Sequence, residues 1–154
     1  MKRFAIVVAF IAGISIGQVL GLGIGAEANF PYTNSGVGQG VAVTFKLDKV
    51  PYIFGIGASA GSGSFHIGAT ADDWLAGGKL IGFLEWYAGL GIYLNLGTGG
   101  SDLGLRIPVG VNAYLLSKKL ELFLELAPAL GLSVSPLQFP TLGLQNAVGF
   151  RFWF

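Results

Sequence analysis

Few residues of this chain have side chains that could carry acid–base or nucleophilic chemistry. His66 is the only histidine, and the chain has no cysteine. Ser64 and Asp72 lie near it in sequence, and a serine, a histidine and an aspartate together could serve an enzyme that modifies lipids. The strand predicted here places Asp72 at the opposite end from His66. We therefore expect a solvated histidine, no catalytic residue, no metal site and no cofactor.

A second group of residues combines opposite charges with a regular spacing. It consists of Glu27, Glu85, Arg106, Glu125 and Arg151. Each lies in a segment in which every second side chain is apolar, so that a strand would place the charge on the face opposite to the apolar side chains. On the predicted strands, Glu27 and Glu125 flank Arg151, and Glu85 and Glu125 flank Arg106. These residues could form a network of ion pairs that fills a lumen, or they could line a narrow path for solutes.

The elements that must position these charges are clearest near the end of the chain. One strand face there would carry Leu142, Leu144, Val148, Phe150, Phe152 and Phe154. The other face would carry Gly143, Gln145, Ala147, Gly149 and Arg151. An apolar outer face around a small and polar inner face is the pattern of a transmembrane β-barrel.

The same alternation predicts an all-β fold, an eight-stranded antiparallel up-and-down barrel. The strands are expected at residues 22–30, 37–47, 52–60, 65–71, 84–96, 103–115, 120–132 and 142–154. An even number of antiparallel strands lets the last strand pair with the first, which leaves no unpaired edge in lipid. The interior of such a barrel is only wide enough for side chains to fill.

A helical alternative applies to residues 80–97, which are nearly long enough for a membrane helix. Glu121 and Glu125 are also four residues apart, a spacing that suits one helix face. We favour strands because the alternation holds in all eight segments. The 26 glycines point the same way, since glycine is a poor helix former.

The N-terminal segment has the features of a secretory signal. Lys2 and Arg3 precede an apolar run at residues 4–16. We expect residues 1–21 to be removed after Gly21, leaving one barrel domain at residues 22–154; a retained membrane anchor is the alternative. Without the signal, basic residues no longer outnumber acidic ones. No basic patch with interleaved aromatic residues is present, so nucleic acid is not an expected partner.

Aromatic residues concentrate at both ends of the predicted strands, as in the girdles of membrane barrels. With both termini in the periplasm, the periplasmic girdle contains Phe45, Tyr52, Phe54, Trp86, Phe150, Phe152 and Phe154. The outer girdle contains Phe30, Tyr32, Phe65 and Phe139. Outer-membrane lipids are therefore an expected partner. Terminal Phe154, with alternate aromatic residues before it, is similar to the signal that the outer-membrane assembly machinery recognises.

Three stretches carry a resemblance to a known family. They are residues 105–110 (LRIPVG), 121–131 (ELFLELAPALG) and 148–154 (VGFRFWF). They resemble a spirochaetal family of small outer-membrane proteins of unknown function, which is similar to the OmpA-type transmembrane domain. The resemblance covers the second half of the chain well and the first half by pattern only. It implies an outer membrane and an eight-stranded barrel, and it supplies no catalytic motif.

The predicted outer loops are short, at residues 31–36, 61–64, 97–102 and 133–141, and the longest periplasmic turn is expected at 72–81. We favour a non-enzymatic outer-membrane protein with a narrow, salt-bridged lumen and a role in envelope structure or surface interaction. One alternative is a porin-like channel for small solutes. Another is a surface protein that binds a host ligand through its loops, for which short loops leave little room.

Overall fold

Alternating apolar and small or polar residues organise this chain into antiparallel strands. The computed structural model describes residues 21–29, 39–61, 63–98 and 100–154. Its strands are β1 (Leu22–Asn29), β2 (Gln39–Leu47), β3 (Tyr52–Gly61), β4 (Ser64–Ile81), β5 (Leu84–Gly97), β6 (Gly100–Arg106), β7 (Val109–Leu115), β8 (Leu120–Val134) and β9 (Leu137–Trp153). Residues 1–20 of the predicted signal segment (1–21) and the predicted outer loop at 31–36 lie outside the described residues.

The strands form one sheet that closes on itself. Neighbouring strands pair antiparallel, β6 and β7 both lie between β5 and β8, and β9 pairs with β1 to close the ring. At this closing seam Gly25 lies opposite Arg151, and Glu27 lies opposite Gly149. The predicted all-β, antiparallel closed barrel is confirmed. We call the end where β1 begins and β9 ends the terminal end, and the other the opposite end.

The predicted count of eight strands is wrong, because the sixth predicted strand is divided. β6 and β7 lie end to end between β5 and β8, separated by Ile107 and Pro108. Proline has no amide hydrogen to donate to the sheet, which interrupts the ladder. The chain nevertheless stays in line, since Ile107 N donates to Pro128 O at 2.9 Å and Gly89 N donates to Pro108 O at 2.8 Å. Nine strands thus occupy eight positions around the ring.

A second difference concerns β4, which is far longer than the predicted strand at 65–71. The expected turn at residues 72–81 is wrong, because β4 continues to pair with β5 as far as Ile81 and Leu84. Two register irregularities, at Trp74/Ala76 and Lys79/Ile81, accommodate the extra residues. β3 stops pairing with β4 at Asp73, so the last part of β4 has β5 as its only neighbour in the described sheet.

Three connections at the opposite end are shorter than predicted. Two residues separate β3 from β4, β5 from β6, and β8 from β9. The predicted loops at 97–102 and 133–141 are therefore mostly strand. Residues that were expected in loops, such as Asp102 and Gln138, pair with residues of neighbouring strands instead.

The two faces of the sheet differ as the alternation predicts. Outward apolar side chains are widely exposed, for example Ile56 and Ile92, each at 58%. Many inward side chains are buried even when they are charged, and Arg151 is only 1% exposed. Residues 80–97 belong to the β4–β5 hairpin, so the helical alternative is wrong there. Among the described residues, no helix has the length and apolar character to cross a membrane.

Candidate functional site: the charged interior of the barrel

The interior holds two layers of charged side chains at different heights. We call them the Arg151 layer, which lies near the terminal end, and the Arg106 layer, which lies farther along the barrel. Both arginines occupy inward positions on strands whose neighbouring residues face outward. Alternation along the strand therefore fixes where each guanidinium points.

In the Arg151 layer, Arg151 and Glu121 are directly paired residues on β9 and β8. Arg151 Nη1 donates to Glu121 Oε1 at 2.9 Å, and Arg151 Nε donates to Thr44 Oγ1 at 3.0 Å. The guanidinium carbon lies 3.9 Å from the centre of the Phe123 ring, within cation–π range. Trp153 Nε1 donates to the second oxygen of Glu121 at 2.9 Å. Both charges are thus held by several partners.

In the Arg106 layer, one guanidinium meets two carboxylates. Arg106 Nη2 donates to Glu125 Oε1, and Arg106 Nε lies 3.1 Å from Asp72 Oδ1. Arg106 Nη1 donates to Gln145 Oε1 at 2.8 Å, and Tyr87 Oη donates to Glu125 Oε2 at 2.9 Å. All these side chains except Gln145 are buried. The layer therefore links β4, β5, β6, β8 and β9 across the interior.

Aromatic side chains fill much of the space beside these layers. The rings of Trp74 and Tyr87 stack with centroids 3.8 Å apart and planes inclined by 15°. Lys46 Nζ lies 3.3 Å from the centre of the Trp74 ring. A stacked pair and a cation–π contact each contribute to stability beyond the apolar area they bury. The terminal half of the lumen is consequently packed with large side chains.

The pairing of Arg151 differs from the one expected. The sequence suggested that Glu27 and Glu125 flank it from the adjoining strands, but Glu121 is its partner. The reason is register. Glu121 is directly opposite Arg151 on β8, where Cβ atoms are about 4.5–5.5 Å apart. Glu27 is directly opposite Gly149 instead, and none of the three ion pairs among the described residues includes it.

Of the other expected network members, the structure brings Arg106 and Glu125 together and leaves Glu85 apart. Glu85 lies near the terminal end of β5, opposite Lys79 and Asn112, and is partly exposed. Sequence reasoning missed Asp72 as a member, because residues 72–81 were assigned to a turn. Continued alternation from His66 through residues 68 and 70 to Asp72 was the signal that could have placed this carboxylate in the lumen.

A cavity of about 90 Å³ lies on the side of Arg106 toward the opposite end. It is lined by Glu27, Asn29, Gly40, Ala42, Gly55, Gly57, Ala58, Ser59, Gly68, Ala69, Thr70, Tyr93, Asn95, Arg106, Gln145 and Asn146. Small residues of β2, β3 and β4 form much of its wall. The terminal half of the lumen is packed, whereas the other half leaves room for several water molecules.

His66 faces the interior near the opposite end, and the expectation of a solvated histidine is wrong because only 5% of the residue is exposed. Its side chain is buried, and Nε2 lies 3.3 Å from Ser64 Oγ. Asp72, the acidic residue considered as a third member of a catalytic set, is instead bound to Arg106 in mid-barrel. Within the described ranges, no group of three His, Cys, Asp or Glu side chains could hold a metal ion.

The aromatic residues assigned to the periplasmic girdle lie on the outer face of the barrel. Tyr52, Phe54, Trp86, Phe150, Phe152 and Phe154 are exposed, and Phe45 is partly exposed. The rings of Phe150 and Phe152 meet edge to face, with centroids 5.7 Å apart. At the opposite end, Phe65 and Phe139 are exposed; Phe30 and Tyr32 lie outside the described residues.

Comparison with protein-family models finds no match, and no curated protein matches the chain. A solved structure with a similar fold is the crystal structure of Neisserial surface protein A. The two share 14% sequence identity with a TM-score of 0.53, and the match covers 86% of this chain and 96% of that one. At this identity the likeness concerns the fold alone.

Proposed function

We propose that this chain is an integral, non-enzymatic outer-membrane β-barrel protein with a lumen closed by ion pairs, serving envelope structure or surface interaction. The observation that carries the proposal is the contrast between the two faces of a closed sheet. The outer face is apolar around the ring, and the inner face holds the charges. In water an apolar surface of this extent would favour aggregation, whereas in lipid it is the stable arrangement.

Two further observations support a membrane location. Ring closure pairs the first and last strands, and a bilayer requires that backbone groups be paired. Aromatic side chains on the outer face near both ends match the girdles of membrane barrels. The resemblance to small spirochaetal outer-membrane proteins and to the OmpA-type domain agrees, as does the similar fold of a neisserial surface protein. Export through the signal at residues 1–21 and insertion by the assembly machinery through Phe154 belong to the same proposal.

Insertion into lipid tests this location directly. The purified protein should migrate differently on a detergent gel before and after heating, and it should give a β-type circular dichroism spectrum in lipid vesicles. A protein that stays soluble without detergent and does not associate with vesicles would contradict the membrane assignment.

A closed lumen is supported by the packing of its terminal half. Arg151 and Glu121 are almost fully buried, and the stacked Trp74 and Tyr87 lie beside the Arg106 layer. Charges inside a membrane protein persist when they are paired, as these are. The rival function is a small-solute channel, which the cavity at the opposite end favours by opening half of the path. Conductance measurements distinguish the two.

Binding of a host ligand through surface loops is less well supported. The strand bounds leave two residues each between β3 and β4, β5 and β6, and β8 and β9, which offers little surface for recognition. If this function operates, substitutions at residues 33–35 or 97–102 should abolish binding of the ligand to intact cells. Unchanged binding in those variants would contradict a loop-mediated role.

A further inference from the structure

The cavity near the opposite end has walls that leave space inside the barrel. Gly55, Gly57 and Gly68 face it without side chains, and Ala42 contributes only a methyl group. Its polar lining includes Glu27 and Asn95. Since eight-stranded barrels ordinarily fill their interior with side chains, this unfilled volume above a packed layer distinguishes one half of the lumen from the other.

Two charged side chains line this cavity, the carboxylate of Glu27 and the guanidinium of Arg106. Arg106 forms its floor, but the guanidinium is already bound to Glu125, Asp72 and Gln145. Two carboxylates therefore offset this one positive charge. Glu27 adds a carboxylate on the cavity wall. It belongs to none of the ion pairs found within the described ranges, and its side chain has a hydrogen bond with that of Asn29, a neutral residue of the same lining.

Hydrogen-bond acceptors accompany this carboxylate. Asn95 Nδ2 donates to Asp102 Oδ2 at 3.2 Å, which directs the amide oxygen of Asn95 elsewhere. That oxygen points to the space in front of Gly68, where an added Cβ would lie 2.5 Å from it. The hydroxyl groups of Ser59 and Thr70 also belong to residues of the lining. A group with several N–H donors and a positive charge matches this set, and an ammonium group has three such donors.

We propose that this cavity binds a small organic cation through a primary ammonium group, with Glu27 as its counter-ion and Asn95 as a neutral acceptor. The binding does not require a conducting lumen, because the Arg106 layer closes the floor of the site. The small volume restricts the ligand to a few heavy atoms. The inference is independent of the proposed envelope role, since a cation site can exist in an open or a closed barrel.

Calorimetric titration of the detergent-solubilised full-length protein with ethylammonium chloride tests the proposal, with sodium chloride at equal ionic strength as the reference. A ligand of three heavy atoms is expected to bind with a dissociation constant no lower than about 1 mM. Ethanol has similar size without charge and acetate has the opposite charge, so both should bind at least about tenfold more weakly. Equal binding of ethanol, or no ethylammonium binding beyond the salt reference, would overturn the proposal.

Two variants locate the site. Glu27→Gln should weaken ethylammonium binding at least about tenfold, because it removes the counter-ion and keeps the shape. Glu85→Gln is the matched control, since Glu85 does not line the cavity, and its binding should stay unchanged. If Glu27→Gln does not fold, the site is located in the unaltered protein by the changes of amide NMR chemical shifts that ethylammonium causes. Shifts should appear at Gly55, Gly68 and the Asn95 side chain, and shifts confined to the terminal end would refute the site.

Discussion

Arg151 and Glu121 face each other as directly paired residues on two adjacent strands, and their side chains are 1% and 0% exposed. The Nη1–Oε1 distance is 2.9 Å. A charge in this position cannot be rehydrated without disturbing the barrel, so each residue depends on the other. The pair lies next to the seam that closes the ring, since Arg151 is also opposite Gly25 of β1.

We expect Arg151→Met to destabilise the protein, because Glu121 would be left as a buried charge without its partner. Breaking a buried ion pair typically costs about 3–5 kcal/mol. Adding Glu121→Gln to that variant should restore part of the loss. Unfolding midpoints in urea with lipid vesicles provide the measurement. Glu27→Gln is the control, and its change in the free energy of unfolding should add to that of Arg151→Met. Strong coupling between Arg151 and Glu27, with none between Arg151 and Glu121, would refute this pairing.

Strand alternation was sufficient to predict the closed barrel and which face of each strand is apolar. It could not predict the partner of Arg151, since the choice between Glu27 and Glu121 depends on register across two strand pairs. A one-residue difference in pairing changes which side chains face each other. Register is set by turn geometry and by long-range closure, and neither is local in the sequence.

The predicted strand at residues 65–71 was much shorter than β4, and this error has a different physical cause. Asp72, Asp73 and the pair Gly77–Gly78 are typical of a turn, and local composition favoured that interpretation. Pairing with the long β5 overrides this preference, and two register irregularities absorb the mismatch. The break at Pro108 was visible in the sequence, but alternation continues across it, which hid the division between β6 and β7.

Replacing a glycine by alanine should destabilise the barrel where another strand's backbone lies close to that glycine, and should be tolerated where there is space. A Cβ at Gly25 would overlap the carbonyl oxygen of Phe150 on the neighbouring strand. Gly25→Ala should therefore cost about 1–3 kcal/mol, since backbone must move. A Cβ at Gly78 would meet only Trp86 Nε1, at 3.4 Å, so Gly78→Ala should be tolerated. The same urea titration measures both, and equal losses would contradict the close approach at the seam.

Backbone hydrogen exchange should distinguish the two parts of β4. Residues 64–73 pair with both β3 and β5 over most of their length, whereas residues 75–81 pair with β5 alone. Amides of the second part should exchange at least about tenfold faster in detergent micelles, because fewer hydrogen bonds must open together. Uniform protection along β4 would mean that another segment covers its free edge.

The packed aromatic residues provide a way to open the lumen. Trp74→Ala combined with Tyr87→Ala removes the stacked pair and the ring beneath Lys46. We expect this double variant to conduct ions in a planar bilayer if it inserts. Trp86→Ala is the control, because Trp86 lies on the outer face and its loss leaves the lumen packed. If Trp86→Ala conducts and the double variant does not, the assignment of these side chains to the outer and inner faces of the barrel is wrong.

The most direct test of the closed, ion-paired lumen is single-channel recording from the unaltered protein in planar lipid bilayers. The Arg151 and Arg106 layers and the aromatic residues beside them predict no reproducible conductance steps after confirmed insertion. Reproducible steps of a defined size, seen in independent preparations of the purified protein, would contradict the closed lumen and favour the small-solute channel.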